Sequence, residues 1–201
     1  MDNRIIVIGR DELPQSLSLG RDEHLAMTFV VLPGVSCDLS LTVSLDAPGA
    51  SLDLAGLFLC LGSEKVSINV NVRHNGSNCT SRQLFKGLAA GSARAAFDGL
   101  IYVAPGAGKT KAAQECHSLL LSADAVVEAR PQLEIYADDV ECSHGATVGS
   151  LDEAQNFYMR SRGIPEEEAR VLQMISFISP IAETVQDPAV KKRIYDSLSE
   201  C

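Results

Sequence analysis

The first part of the chain alternates apolar and polar residues with a period of two. Residues 39–45 and 66–72 each carry Leu, Ile or Val at every second position, with Ser, Thr or Asn between them. Strict alternation places one set of side chains on one face of a strand, so both runs predict half-buried β-strands. A third run opens with Leu52 and Leu54 and becomes continuously apolar over residues 57–61. Turn residues, such as Pro33 and Gly34, separate the runs.

The order of these strands limits the fold to two all-β architectures. No helical segment interrupts them through residue 80, which excludes a doubly wound α/β fold, because that fold needs helices between parallel strands. A β-sandwich and a parallel β-helix remain. Few aromatic residues and strands that recur with short turns favour the β-helix, in which stacked coils form one continuous core. No fixed repeat length is visible, so the pattern alone leaves both open.

After Gly149 the apolar period changes to 3.6, which predicts three helices. Residues 150–153, Ser-Leu-Asp-Glu, form a capping box with Ser150 as the predicted N-cap of the first helix. Gly163 is expected to close that helix, and Pro165 fits the first position of the second. A third helix is predicted to start at Asp187-Pro188 and to run to about residue 198.

The change in period also divides the chain into two predicted domains. Residues 1–149 would form the β-domain, and residues 150–201 a C-terminal helical domain. Three short helices cannot bury a large core alone. We therefore expect them to pack on the β-domain or on another protein.

Charge and apolar content exclude several classes of function. The 201 residues include 17 basic and 26 acidic side chains, a net charge of −9 that repels phosphate backbones, so nucleic acid is not an expected partner. The longest run of large apolar residues, 57–61, is too short to span a membrane. The N-terminus is too charged for a signal peptide, which predicts a cytoplasmic protein whose six cysteines are reduced thiols.

The segment 103–110 ends in Gly-Lys-Thr and invites comparison with a phosphate-binding loop. Val103 stands where that loop requires its first glycine. Without this glycine the tight turn that points backbone N–H groups at phosphates is not expected. We interpret the segment as a surface turn.

Two Cys/His pairs are close in sequence, Cys116-His117 and Cys142-Ser143-His144. On a strand the adjacent pair would diverge, whereas Cys142 and His144 would point to the same face. A thiolate and an imidazole on one face can supply half of a site for iron or an iron–sulfur cluster, with the other ligands from a partner chain or from elsewhere. A buried Cys beside a surface His is the alternative.

Two acidic residues interrupt the alternation just before this pair. Residues 133–136 alternate, but continuing the pattern would bury Asp139 and Glu141 with Leu133 and Ile135. Burying two unpaired carboxylates is costly, so the chain is predicted to bend near Asp138 and Asp139.

Residues 130–149, RPQLEIYADDVECSHGATVG, resemble the signature of the SufB/SufD family of iron–sulfur assembly scaffolds. Residues 151–164 and 167–170 are similar to the same family's C-terminal region, as are 109–110 and 119–122 upstream, so the specific likeness covers roughly residues 97–178. The Cys-Ser-His-Gly-Ala form is similar to SufD rather than to SufB. Family members are generally longer, and Cys116 and His117 depart from the residue types expected there, so no family role is assigned to them.

The resemblance implies a right-handed parallel β-helix followed by a small helical domain. It further implies a non-enzymatic scaffold that pairs with a SufB-like chain through the β-helices. The shorter length of this chain leaves a homodimer through the same β-helices open. The C-terminal helices would dock a SufC-like ATPase. Cys142 and His144 would lie near the pairing interface as metal ligands, where an iron or iron–sulfur cluster is shared transiently and no cofactor is held stably by this chain alone.

Two other classes of function remain open at this point. A homodimeric structural β-helix would pair its faces without metal. A carbohydrate-active β-helix enzyme would line one long groove with acidic and basic residues, and no such row is visible in the sequence.

Overall fold

A computed structural model describes residues 3–199, which form eleven strands followed by three helices. The strands are β1 (Arg4–Ile8), β2 (Ser16–Leu19), β3 (His24–Val31), β4 (Cys37–Leu45), β5 (Ser51–Cys60), β6 (Lys65–His74), β7 (Thr80–Ala89), β8 (Arg94–Val103), β9 (Lys111–Leu120), β10 (Val126–Ile135) and β11 (Glu141–Gly149). The helices are α1 (Glu153–Ser161), α2 (Glu166–Ala182) and α3 (Pro188–Leu198).

The strands belong to two sheets that the chain visits in turn. Odd-numbered strands form sheet A in the order β1-β3-β5-β7-β9-β11, and even-numbered strands form sheet B in the order β2-β4-β6-β8-β10. All nine strand pairings between described residues are parallel. Each even strand and the odd strand after it make one coil, which gives a β-solenoid of about five coils and confirms the parallel β-helix over the sandwich.

The coils differ in length, and this hides the repeat from the sequence. In sheet A, His24 pairs with Ser51, Ser51 with Thr80, Thr80 with Lys111 and Lys111 with Glu141. Successive coils therefore advance by about 27 to 31 residues, because strand lengths are similar but turn lengths are not.

The alternating residues form a continuous inward-facing core. Leu41, Val43 and Leu45 are at most 1% exposed and pair in register with the inward row of β6. The largest side chains stack along the solenoid, with Phe85 between Phe29 and Phe97 at ring-centroid distances of 5.8 Å and 4.4 Å. Each such buried apolar side chain stabilises the fold by about 1.5–3 kcal/mol.

Side chains of the continuously apolar run of β5 pack into two separate hydrophobic cores, one on each face of the strand. Phe58 and Cys60 face the solenoid interior, whereas Leu57 and Leu59 face outward. The outward pair packs against the helices, which confirms that the helical segment covers the β-domain. The helix residues buried there are Met174, Ile178, Ile181, Ala182, Val190, Ile194 and Leu198.

The predicted N-cap of the first helix is wrong by two residues. Asp152, not Ser150, is the N-cap of α1, and its carboxylate accepts hydrogen bonds from the backbone N–H groups of Ala154 at 2.8 Å and Gln155 at 3.2 Å. A carboxylate satisfies two free N–H groups and interacts favourably with the helix dipole. Asp152, rather than Ser150, therefore caps the helix.

The other helix boundaries lie at or next to their predicted positions. Gly163 adopts a φ of +87° just after α1, which confirms it as the closing residue. Pro165 precedes α2 as its N-cap rather than starting it. Asp187 caps α3, with Pro188 in the first turn, and the helix ends at Leu198 as predicted.

The last strand ends at Gly149 and α1 begins at Glu153, so the predicted domains 1–149 and 150–201 meet in this connection. The division into two folding units stays a prediction. Between residues 3 and 199, no helix is both long and apolar enough to cross a membrane.

Candidate functional site

The last coil of the solenoid leaves both of its strands with one free edge. Within the described chain, β11 is the end strand of sheet A and pairs with β9 alone, and β10 is an end strand of sheet B and pairs with β8 alone. A parallel strand with one neighbour presents a row of unpaired backbone N–H and C=O groups. These two edges lie side by side because β10 and β11 belong to the same coil.

Cys142 and His144 lie on this coil and face inward. They are in register with Ala112 and Gln114 of β9, both of which are buried in the core. Cys142 is half-buried and His144 is exposed, since no further coil of the described chain covers them. Their side chains share one face and are separated by roughly 7 Å along the strand, as the sequence predicted. Their assignment as metal ligands stays a prediction.

Apolar side chains surround the pair on the same open end. Leu133 and Ile135 of β10 are in register with the buried Ile101 and Val103 of β8. They occupy the predicted inward row, but Ile135 is 39% exposed because the row is the last one. Val148 of β11 is 42% exposed for the same reason. The end of the solenoid is therefore an open apolar surface that contains one thiol and one imidazole.

The chain bends between β10 and β11 as predicted. Asp139 adopts a φ of +55°, and its carbonyl accepts a hydrogen bond from the backbone N–H of Lys109 at 2.7 Å. Asp138, Asp139 and Glu141 all remain exposed. The bend keeps the three carboxylates out of the core that Leu133 enters.

The segment 103–110 is a turn between two strands, which confirms the interpretation. β8 ends at Val103 and β9 begins at Lys111, so a strand follows where a phosphate-binding loop needs a helix. The side chain of Thr110 is buried and donates its hydroxyl hydrogen to the carbonyl of Ala107 at 2.8 Å.

The environment of Cys142 favours the neutral thiol. Burial raises the pKa of Cys142, and the backbone N–H of Ala112 opposes this shift only in part. The thiolate is the form that binds metal, so metal binding at Cys142 requires loss of its proton.

The second Cys/His pair diverges as predicted. Cys116 is fully buried, and burial raises its pKa to about 12. His117 faces outward, with Nδ1 2.8 Å from Thr147 Oγ1 and Nε2 3.2 Å from a carboxylate oxygen of Glu115. The two side chains lie on opposite faces of sheet A and cannot share a ligand.

The donors on this chain fit half of a metal site. Among residues 3–199, no group of three or more His, Cys, Asp or Glu residues is arranged to hold a metal ion. Cys142 and His144 supply two donors, whereas iron–sulfur clusters and structural zinc sites use four protein ligands. The pair can bind iron or a cluster only together with ligands from outside the described residues.

A polar column in the core next to this site was not predicted from the sequence. Gln83 of β7, Gln114 of β9 and His144 of β11 occupy the same inward position of three successive coils. Gln114 Nε2 donates a hydrogen bond to Gln83 Oε1 at 2.8 Å. The sequence does show a glutamine at an inward position in each of two strands. It does not show that the two glutamines lie in register, because the coils differ in length.

Comparison with known proteins gives one matching family and several relatives. The family model for "SUF system FeS cluster assembly, SufBD core domain" matches residues 14–177. The iron–sulfur cluster assembly protein SufD of Escherichia coli is 37% identical over 178 residues, which cover 89% of this chain and 42% of that protein. SufD of Bacillus subtilis is 31% identical over 175 residues, covering 87% and 40%. The chain thus spans less than half the length of these relatives.

Proposed function

Because the chain belongs to the SufB/SufD family of iron–sulfur cluster assembly proteins, we propose that it is a non-enzymatic, SufD-like scaffold subunit of a SUF assembly complex. One observation carries the proposal: Cys142 and His144 face inward at the open end of the solenoid, beside two free strand edges. An incomplete set of donors next to an unpaired edge suits a site that two chains complete together.

The partner at this end is a second β-solenoid, a SufB-like chain. Strand addition to the free edges of β10 and β11 would satisfy their backbone N–H and C=O groups. The same partner would cover Leu133, Ile135 and Val148, whose exposed apolar surface favours burial. A second copy of this chain could use the same edges, and that homodimer is the alternative.

The cluster is cargo that the two chains hold between them. Cys142 would bind iron as a thiolate after losing its proton, and His144 would bind through an unprotonated ring nitrogen. The partner chain supplies the remaining ligands. A half-site of this kind holds iron or a cluster transiently, and this chain alone retains none.

The helices offer a second and separate docking surface. α2 and α3 pack one face on sheet A, whereas Phe157, Tyr158 and Leu172 remain exposed on α1 and α2, Phe157 by 74%. Three large apolar side chains on neighbouring helices favour a protein partner. We assign this face to a SufC-like ATPase, which would carry out the nucleotide chemistry that this chain does not.

The cysteines of the described residues are consistent with a protein that functions in a reducing compartment. The five cysteines among the described residues, Cys37, Cys60, Cys79, Cys116 and Cys142, are all free. Free thiols persist in the cytoplasm. We propose that the complex works in that compartment.

Two matched variants test the two docking surfaces in one co-purification under anaerobic, reducing conditions. Ile135→Asp puts a charge on the open end and is expected to release the SufB-like chain while retaining the ATPase. Leu172→Asp is expected to do the reverse, so each variant is the other's control for folding. Failure of the wild-type chain to bind either partner would contradict the proposal, and a doubled solution mass without partners would favour the homodimer.

A further inference from the structure

The polar column beneath His144 has two buried hydrogen-bonding groups without a partner among the described residues, Gln83 Nε2 and Gln114 Oε1. Gln114 is fully buried and Gln83 is 3% exposed. Gln114 Nε2 is bonded to Gln83. Gln114 Oε1 is also buried, yet no hydrogen bond reaches it among the described residues. A buried amide oxygen without a donor is costly, so its retention calls for a physical reason.

The space around this amide is shaped to hold it. Gly99 of β8 faces Gln114 across the solenoid, and a Cβ atom at Gly99 would lie 2.2 Å from Gln114 Oε1 and 2.6 Å from its Cδ. The carboxamide therefore fills the volume that any larger residue at Gly99 would occupy. On the next coil Gly99 pairs with Pro131, which has no N–H group to offer.

Gln114 has a register partner with a donor group on each side, Gln83 on the preceding coil and His144 on the last coil, and Gln83 already engages Gln114 through Nε2 of Gln114. Paired residues of neighbouring strands lie about 4.8 Å apart, and His144 is the register partner of Gln114. Imidazole carries the one nitrogen among the inward-facing side chains of the last coil, which are Val127, Ala129, Pro131, Leu133, Ile135, Cys142, His144, Ala146 and Val148. His144 is exposed, so its ring is free to turn toward the core.

We propose that Gln114 is a positioning residue for His144, accepting a hydrogen bond at Oε1 from one ring N–H. This inference rests on the proposed function of His144 as a ligand. With one ring nitrogen donating to Gln114, the other is left unprotonated and is directed out of the open end, where iron arrives. Gln83 contributes by holding Nε2 of Gln114, which leaves the oxygen as the free end of the amide.

Imidazole nitrogen resonances test this in the isolated full chain. The sequence has only four histidines, and loss of one signal set in His144→Ala assigns His144. At mildly alkaline pH, long-range ¹H–¹⁵N correlation is expected to show one dominant tautomer for His144. Gln114→Met, which keeps the volume but removes the oxygen, is expected to give a mixture of both tautomers. Gln83→Met, the same change one coil further away, is expected to keep the single tautomer.

Three results would overturn the inference: a tautomer mixture in the wild type, no change in Gln114→Met, or equal mixing in both methionine variants. This measurement needs no iron and no partner, so it is independent of the proposed function. In the reconstituted complex, Gln114→Met is expected to lower cluster yield by less than His144→Ala does. Unchanged yield in His144→Ala with an altered tautomer in Gln114→Met would reject the ligand role and retain the positioning role.

Discussion

Glu64 reaches back across one coil to Gly34: its carboxylate accepts the backbone N–H of Gly34 at 2.8 Å, and the other oxygen accepts that of Gly62 at 2.7 Å. Burial alone would raise the pKa of Glu64, but hydrogen bonds from the backbone of Gly34, Glu64, Gly62 and Leu61 outweigh it and lower the pKa. One carboxylate thus joins the turns of two coils.

Removing this charge is expected to destabilise the solenoid. Glu64→Gln keeps the side-chain volume but turns one acceptor into a donor facing an N–H group, which should cost about 1–3 kcal/mol of unfolding free energy. The pKa of Glu64 is lower in the folded chain than the value of about 4.3 in the unfolded chain. Ionised Glu64 therefore contributes fully to the unfolding free energy above the unfolded pKa, and this contribution is lost as the pH falls through the folded pKa. Urea unfolding at neutral and acidic pH measures both effects. The exposed Glu141→Gln is the control, and equal losses in the two variants would contradict the account.

The buried ring of His74 should lower the unfolding free energy over a different pH range, because it takes up a proton more readily in the unfolded chain. The ring is fully buried with Nε2 2.9 Å from Ser81 Oγ, and burial lowers its pKa to about 4. The unfolded chain takes up a proton near pH 6.5, whereas the folded chain does so only near 4, so unfolding free energy should fall by about 1.4 kcal/mol per pH unit between these values.

A substitution separates this effect from the rest of the acid response. His74→Leu is expected to flatten the pH dependence of unfolding between pH 6.5 and 4, while the outward-facing His117→Gln keeps the wild-type slope. A wild-type slope in His74→Leu would show that the buried imidazole does not control this range.

Gly87 leaves room for an aromatic ring. A Cβ atom at this position would lie closer than 2.5 Å to the ring of Phe58, the inward-facing half of the divided run in β5. Gly87→Ala is therefore expected to lower unfolding free energy by about 1–3 kcal/mol through overpacking. Gly145→Ala on β11 is the matched control, because nothing lies within 4 Å of its added Cβ. A second change, Phe58→Leu, should relieve part of the loss in Gly87→Ala.

The strands could be predicted because burial on one face dictates alternation, and the structure retains the predicted rows of β4 and β6. The apolar run 57–61 indicated a strand, but not that its two faces pack into different hydrophobic cores. Leu57 and Phe58 pack against elements that lie far apart in sequence, so the local pattern could not show this. The choice between Ser150 and Asp152 as N-cap depends on where the chain leaves the sheet, which local sequence does not encode. The column of Gln83, Gln114 and His144 exists only through stacking of coils with unequal lengths.

We propose that His144 belongs to a cluster site shared with a partner chain. The iron and sulfide content of the anaerobically reconstituted complex, with SufB-like and SufC-like subunits, tests this proposal. We predict that His144→Ala assembles with both partners as the wild type does but carries less iron and sulfide, while His117→Ala retains the wild-type content. An undiminished cluster content in His144→Ala would contradict the claim.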